Sequence, residues 1–192
     1  MFQAIPVEAL ATDRLLMRPP VLADAPAIVE AAHESLAELR PWMPWAHSNY
    51  ALADAETFIQ RMADGVLRDD LFTGLLFRKT DNQFIGTIGL HDVNWLVPRF
   101  EIGYWLRTTA VGHGYMTEAV IHLTHLCRDR FRARRMTIRC DAENVRSRQV
   151  AERAGYIFEA RTKNDRRSPF DNSLHDMLTL ALTWPDEPDQ TG

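Results

Sequence analysis

The strongest constraint on this chain lies at residues 106–119, where a strand pattern runs through a loop with two glycines straight into a long helix. The segment reads Leu106-Arg107-Thr108-Thr109-Ala110-Val111-Gly112-His113-Gly114-Tyr115-Met116-Thr117-Glu118-Ala119. Arg99 to Leu106 is the strand, and after the glycines Met116, Ala119, Val120, Leu123, Leu126 and Cys127 recur at helical spacing. The first turn of a helix leaves N–H groups without intrahelical partners and carries the positive end of the macrodipole. Glycine removes side-chain bulk and permits positive φ, so those amides can crowd around a ligand. Together these features make an anion site suited to phosphate. A plain tight turn is the competing reading, and a Gly-x-Gly alone does not decide between them. Two familiar phosphate loops are excluded: no Gly-Lys occurs for a Walker A loop, and Thr117 stands where a dinucleotide fingerprint needs its third glycine.

The flanking chain alternates between the two periods. Leu15 to Arg18 is a short strand ended by Pro19-Pro20, and Asp24 is a helix N-cap with Pro26 in the first turn. That helix runs to Arg40, where Pro41 stops it and the loop Pro41-Trp42-Met43-Pro44-Trp45 follows. Asp54 opens a second helix with the stripe Ala55, Phe58, Ile59, Met62 and Val66. Leu71 to Lys79 and Phe84 to Val93 form a hairpin around Thr80-Asp81-Asn82. Arg135 to Asp141 is a further strand, Arg146 to Ala154 a short helix closed by Gly155, and Tyr156 to Lys163 and Leu174 to Thr183 the last strands. One α/β (α+β) domain over residues 1–184 is expected, followed by a flexible polar tail over 185–192.

Composition narrows the class. A chain of 192 residues holds one substantial core, and a hydrophobic share of 46% with 25% charge is that of a water-soluble globular protein. No apolar run spans a bilayer, and the start Met1-Phe2-Gln3-Ala4-Ile5-Pro6 has no secretory pattern, so a cytoplasmic protein without membrane contact is expected. Cys127 and Cys140 provide neither a disulfide framework nor a metal pattern, and no metal is expected. The net charge of −4 argues against nucleic-acid binding. The run Arg128, Arg130, Arg132, Arg134 and Arg135 reads as helix-terminal cations and a solvated turn.

The glycine segment resembles the coenzyme A-binding motif of GNAT acetyltransferases, a Gln/Arg-x-x-Gly-x-Gly/Ala loop capping a helix. Here Gly114 holds the central glycine, Val111 the first position and Met116 the last. Glu101-Ile102-Gly103-Tyr104-Trp105-Leu106, followed by Gly-His-Gly-Tyr-Met-Thr-Glu-Ala, is similar to the GNAT group that acetylates the N-termini of ribosomal proteins. Asn144-Val145-Arg146-Ser147-Arg148-Gln149-Val150-Ala151-Glu152-Arg153-Ala154-Gly155-Tyr156 resembles that group's Asn-x-x-Ser-x-x-Val-x-Glu-x-x-Gly-Phe/Tyr segment, and the Trp-rich loop 39–45 resembles its counterpart. The resemblance implies a mixed, mostly antiparallel sheet of about seven strands with about four helices, and two splayed strands at Arg99–Leu106 and Arg135–Asp141. It implies acetyl-CoA or coenzyme A as co-substrate. The coenzyme would be held by Tyr104, Trp105, Leu106, Val111, Gly112, His113, Gly114, Tyr115, Met116, Thr117, Asn144 and Ser147. Helix capping by Asn144 and Ser147 is the competing reading of those two residues.

Many GNAT enzymes protonate the departing thiolate from a Tyr seven residues after the motif Asn; here that position is Ala151. Ser147 is therefore the expected donor, the backbone N–H of Leu106 the expected oxyanion contact, and Glu101 the first candidate for general base. Asp165, Asp171, His91 and His175 are weaker base candidates. Deprotonating a lysine at pH 7 costs about 4.6 kcal/mol and an α-amine only about 1 kcal/mol, so a site without one evident base suits an α-amine. His122 and His125 read as solvated, Cys140 as a small buried hydrophobe, and Trp42 and Trp45 as pocket or packing residues. The acceptor is expected to be a primary amine on a protein N-terminus or a small molecule. A homodimer is compatible with the sequence, and an acyl-CoA sensor without catalysis and an RNA-associated module are the alternatives from other classes.

Overall fold

Phe72, Leu75, Leu76 and Phe77, with Phe84, Ile85, Ile88 and Leu90 after the following turn, are buried on both faces of their hairpin. Such a hairpin must lie between two layers of helix. The computed structural model describes residues 10–67, 72–168 and 170–185. In chain order the elements are β1 (Leu10–Ala11), β2 (Leu15–Arg18), α1 (Ala25–Glu34), α2 (Leu36–Leu39), α3 (Leu52–Leu67), β3 (Phe72–Arg78), β4 (Gln83–Asn94) and β5 (Arg99–Leu106). They continue with α4 (Tyr115–Arg130), β6 (Arg135–Asp141), α5 (Val145–Arg153), β7 (Ile157–Arg167) and β8 (Leu174–Thr183). The strands form one sheet in the order β1-β2-β3-β4-β5-β6-β8-β7. Among the described strands β5–β6 is the one parallel pair. No described helix is long and apolar enough to cross a membrane.

Each face of the sheet has its own core. On one face Phe72, Leu76, Ile88, Phe100 and Ile102 meet the α4 stripe Met116, Ala119, Val120, Leu123 and Cys127. On the other, Leu75, Phe77, Phe84 and Trp105 meet Ile28 and Ala31 of α1 and Ala55 and Ile59 of α3. The alternation of β5 decides this division, since Phe100 and Ile102 go to one side and Trp105 to the other.

The eighth strand and the fifth helix depart from the expected count for local reasons. β1 is only two residues long. The single helix expected up to Arg40 breaks at Ser35, whose hydroxyl accepts the Thr108 N–H at 2.9 Å and so joins this helix to the glycine segment. Asp24 does not cap α1 with its side chain. Its carboxylate accepts the Val21 N–H at 2.8 Å and pairs with Arg18 at 2.6 Å, closing the turn before α1. Asp54 lies in the first turn of α3, which begins at Leu52, and accepts the Ala51 N–H at 2.8 Å. Leu71, the Val66 side chain and the tail beyond Pro185 fall outside the described residues.

Arg107, just after β5, is the polar anchor of this frame. Its side chain is only 9% exposed and binds Glu34 at 2.5 Å and also Glu30, both on α1. Its hydrogen bond holds the Glu34 carboxyl below its ordinary pKa, aided by Thr109 and opposed by partial burial. Replacing Arg107 by Met should lower stability by about 2 kcal/mol, because Glu30 and Glu34 both lose their partner, Glu34 at a half-buried position. Glu34 has a depressed folded pKa, so this stabilisation is present above the ordinary glutamate range and is lost as pH falls through the lowered value. Urea titrations of wild type and Arg107→Met should therefore differ at pH 7 and converge in acid.

Candidate active site

β5 and β6 start as neighbours and part midway. Their register holds for Arg99↔Arg135, Phe100↔Met136 and Glu101↔Thr137 and then ends. β5 stays with β4 up to Gly86↔Leu106, and β6 stays with β8 up to Asp141↔Met177. The edges that face each other, 102–106 and 138–141, are thus unpaired with one another. An unpaired strand edge presents N–H and C=O groups that require partners, and a ligand carrying its own amides supplies them. A cavity of ≈ 250 Å³ opens in this gap. Its walls include Tyr104, Trp105 and Leu106 from β5, Ile138 and Cys140 from β6, Val111 and Met116 from the glycine segment, and Asn144 and Ser147 from the start of α5.

The glycine loop sits at the rim of this gap. Gly112 has φ +89° and Gly114 φ +77°, the left-handed region that glycine alone enters at low cost. No atom lies within 4 Å of where a Cβ would stand on Gly112, so conformation rather than crowding calls for glycine there. Gly114 is the N-cap of α4, and its carbonyl accepts the first helical bond, from Glu118 N–H at 3.1 Å. The N–H groups of Tyr115, Met116 and Thr117 precede that bond and face the loop. Two braces fix the loop. Arg14 donates to His113 O at 2.9 Å, binds Glu118 at 2.6 Å and lies over the Tyr115 ring at 4.8 Å. On the other side Thr109 Oγ1 donates to Glu34 at 2.8 Å, beside Arg107.

Across the gap, Asn144 Oδ1 accepts the Ser147 N–H at 3.0 Å, so Asn144 does cap α5 while also lining the cavity. The Tyr104 hydroxyl donates to Ser147 O at 3.0 Å and lies 3.1 Å from Ser147 Oγ, bridging β5 to α5 across the splay. Burial pushes the Tyr104 phenol well above its usual pKa, the Ser147 contact only partly opposing it. Burial also raises the Cys140 thiol, against a smaller opposing contact from Ser147.

A second cavity, of ≈ 470 Å³, lies on the α1/α3 face of the sheet. Met43, Gly103, Tyr104 and Trp105 line both cavities, so the two meet at β5. Trp42 lines the first and Trp45 the second, where the Trp45 ring also packs, tilted, against Trp105 and Tyr50 at 5.4 and 5.5 Å. The Trp-rich loop thus packs and lines pockets at once. Arg166 of β7 donates to Trp42 O at 2.7 Å, fastening this loop over the first cavity.

Several expected participants lie apart. Glu101 lines neither cavity; it sits at the apex of the splay, in register with His91 and Thr137, and burial raises its carboxyl while Arg139 opposes that rise. His91 lines the second cavity and is pushed toward the neutral form, first by burial and then by Arg61. Asp165 is engaged by Arg139 at 2.5 Å. Asp171 is held down to about 2 by hydrogen bonds from Ser173 and Ser168, and His175 joins Ser173 to the buried Asp141 at 2.8 and 2.5 Å. His125 is exposed and His122 half-buried on α4. The arginine run is divided among separate partners, Arg128 with Asp129, Arg135 with Glu159 and Arg134 with Pro185 O. Among the described residues no cluster of His, Cys, Asp or Glu could hold a metal ion. Gly103, Met43, Arg166 and Asp141 are cavity residues that sequence reasoning missed. Gly103 carried a signal, as a glycine inside a strand marks a close approach; contacts such as Arg166 with Trp42, 124 residues apart, carry none.

A parallel pair that splays beside a glycine-capped helix defines a class, and comparison with known proteins agrees. Residues 14–157 match the family model described as the acetyltransferase (GNAT) domain, so the chain belongs to that family. It is 33% identical over 100 residues to the ribosomal-protein-serine acetyltransferase of Escherichia coli (strain K12), a match covering 52% of this chain. The chain spans about half the length of that relative, 54%. Among solved structures, RimL, the ribosomal L7/L12 α-N-protein acetyltransferase in complex with coenzyme A, superposes with a TM-score of 0.81 at 23% identity, covering 94% of this chain and 98% of that one. The microcin C7 self-immunity acetyltransferase MccE, bound to acetyl-CoA and AMP, has a TM-score of 0.84 at 18% identity, covering 90% and 94%. These two likenesses establish the fold.

The double placement of Asn144 separates cap from ligand. Asn144→Ala should cost about 1 kcal/mol of stability through the lost cap, and Asn144→Asp should restore it. Chemical denaturation of the two variants is the measurement, and equal stability of both with wild type would show that the cap contributes nothing.

Proposed function

We propose that this chain moves the acetyl group of acetyl-CoA to a primary amine, a protein or peptide N-terminal α-amine, by direct attack within a ternary complex. The observation that carries this reading is the end of β5–β6 pairing after Glu101↔Thr137. It leaves two edges that an amide-bearing arm can fill, and the arm would run from the glycine loop toward Ser147. The amides from Gly112 to Thr117 would hold the diphosphate. The names of the E. coli relative and of the RimL complex support a ribosomal-protein type of acceptor.

The residues divide the chemistry as follows. The backbone N–H of Leu106 polarises the thioester carbonyl. The amine nitrogen forms the new C–N bond and the C–S bond breaks. Of the three protons of the incoming ammonium, one stays on the amide, one reaches the sulfur and one goes to a base. The Ser147 hydroxyl, held by Tyr104, relays the second of these protons, giving its own to the sulfur and taking the amine's in exchange. Glu101 takes the amine proton through intervening water. Its burial-raised carboxyl makes it a stronger base than an exposed glutamate. The meeting of the two cavities at Gly103–Trp105 provides the place where amine and thioester converge.

Isothermal calorimetry should detect saturable acetyl-CoA binding, and thiol release should follow when peptides with free N-termini are added. Ser147→Ala should lower kcat by about 10- to 100-fold with an unchanged acetyl-CoA Kd. The wild-type kcat should rise with pH through a value above the ordinary carboxylate range, because the base works ionised, and Glu101→Gln should abolish that limb. Absence of any coenzyme binding would remove the whole reading.

A further inference from the structure

The second cavity is larger and more apolar than transfer to a small acceptor requires. At ≈ 470 Å³ it is roughly three times the volume of an engineered cavity of about 150 Å³ that binds benzene. Its walls are mainly rings and aliphatic groups, Trp45, Tyr50, Phe58, Trp105, Ile28 and Met62. Its floor is the cross-strand pair Gly89↔Gly103. A Cβ on Gly89 would stand 2.2 Å from the Phe72 carbonyl, and one on Gly103 would stand 2.1 Å from His91 Nε2, so neither glycine can be exchanged without displacing its neighbours. The polar groups over this floor are uncharged: Thr73 and Thr87, both buried, and His91, which burial holds toward its neutral form. The charged lining residues, Asp54 and Arg61, are exposed on α3 at the mouth. The cavity opens to solvent between α3 and the Trp45 loop, so without a ligand its apolar lining stays wet, and sites with such a lining take ligands.

Resting on the acetyl-transfer reading above, we propose that this cavity selects the acceptor: a primary amine whose neighbouring carbon bears a bulky aromatic or branched apolar group, which fills the space between α3 and the Gly89–Gly103 floor. The cavity reaches β5 at Gly103, Tyr104 and Trp105, the same residues that border the gap for the thioester. A ring lodged against Trp45 and Trp105 therefore places its amine at the junction of the two cavities. A serine or alanine side chain leaves most of the volume unfilled. The same chemistry is offered by a peptide with an aromatic first residue and by a free arylalkylamine.

The test is acetyl transfer by the full chain to peptides that differ only in the first residue (Ser, Ala, Leu, Phe, Trp), alongside phenethylamine and ethylamine, followed by thiol release and mass spectrometry. The Phe and Leu peptides should exceed the Ser peptide in kcat/KM by about 10- to 100-fold, the gain expected from burying one large apolar side chain. Phenethylamine matching the Phe peptide would identify the small amine as the source of the group, and a large advantage of the peptide would identify the chain N-terminus. Thr57→Trp, a filling change at the accessible α3 wall, should reduce the Phe-over-Ser ratio at least tenfold while the acetyl-CoA Kd stays constant. Efficient transfer with Ser preferred, or a ratio insensitive to Thr57→Trp, overturns the assignment and leaves acetyl transfer standing. Failure to acetylate any amine, with acetyl-CoA bound, overturns acetyl transfer first and the acceptor assignment with it.

Discussion

Three parallel register pairs between β5 and β6, and no more, set the rest of this structure in place. Each strand is committed on its other side, β5 to β4 along nearly its whole length and β6 to β8 up to Asp141. Twist in the sheet has to be absorbed somewhere, and here it opens the one parallel seam. The opening cannot be sealed by side chains alone, because strand edges carry polar backbone groups whose burial unpaired is costly. The gap is stable as a place for a ligand, with Tyr104 spanning it to Ser147 as the main protein contact across its width.

Long-range polar contacts fix the β5 side of that gap. Arg107 ties the end of β5 to α1, Ser35 ties α1 to the turn after β5, and Arg14 ties the glycine loop to the start of β2. These are long-range polar contacts at the ends of elements, where backbone groups would otherwise lack partners. The two hydrophobic cores, one on each face, then leave the ends of β5 and β6 between an α4 side and an α1/α3 side. The alternation of a single strand divides the two sides: Tyr104 and Leu106 turn toward α4, and Gly103 and Trp105 toward α3.

Glycine enters at two kinds of position with different physics. Gly112 and Gly114 are required for their positive φ, Gly112 in open space and Gly114 with the Arg14 guanidinium 3.6 Å from where a Cβ would stand. Gly89 and Gly103 lie in paired strands and are required because neighbouring atoms occupy the volume of a side chain. The first kind leaves the start of α4 unobstructed, and the second keeps two strands in close approach at the base of the second cavity. Gly89 comes beside Gly103 only because the sheet folds β4 back against β5.

Much of the site was legible in the sequence because it is local. The stripe Met116, Ala119, Val120, Leu123 and Cys127, the glycine loop and the Asn144 cap each depend on residues within a few positions, and all took the form their spacing required. What pattern alone decided was therefore the existence of a glycine-capped helix between two strands and the residues that can offer amides to an anion. Tertiary structure decided the break at Ser35, the withdrawal of Glu101 from the cavity walls, the fastening of Trp42 by Arg166 and the second cavity itself. Each of these depends on contacts between elements far apart in sequence, whose geometry is set by sheet order and twist, and neither quantity is carried by the periodicity of any one segment.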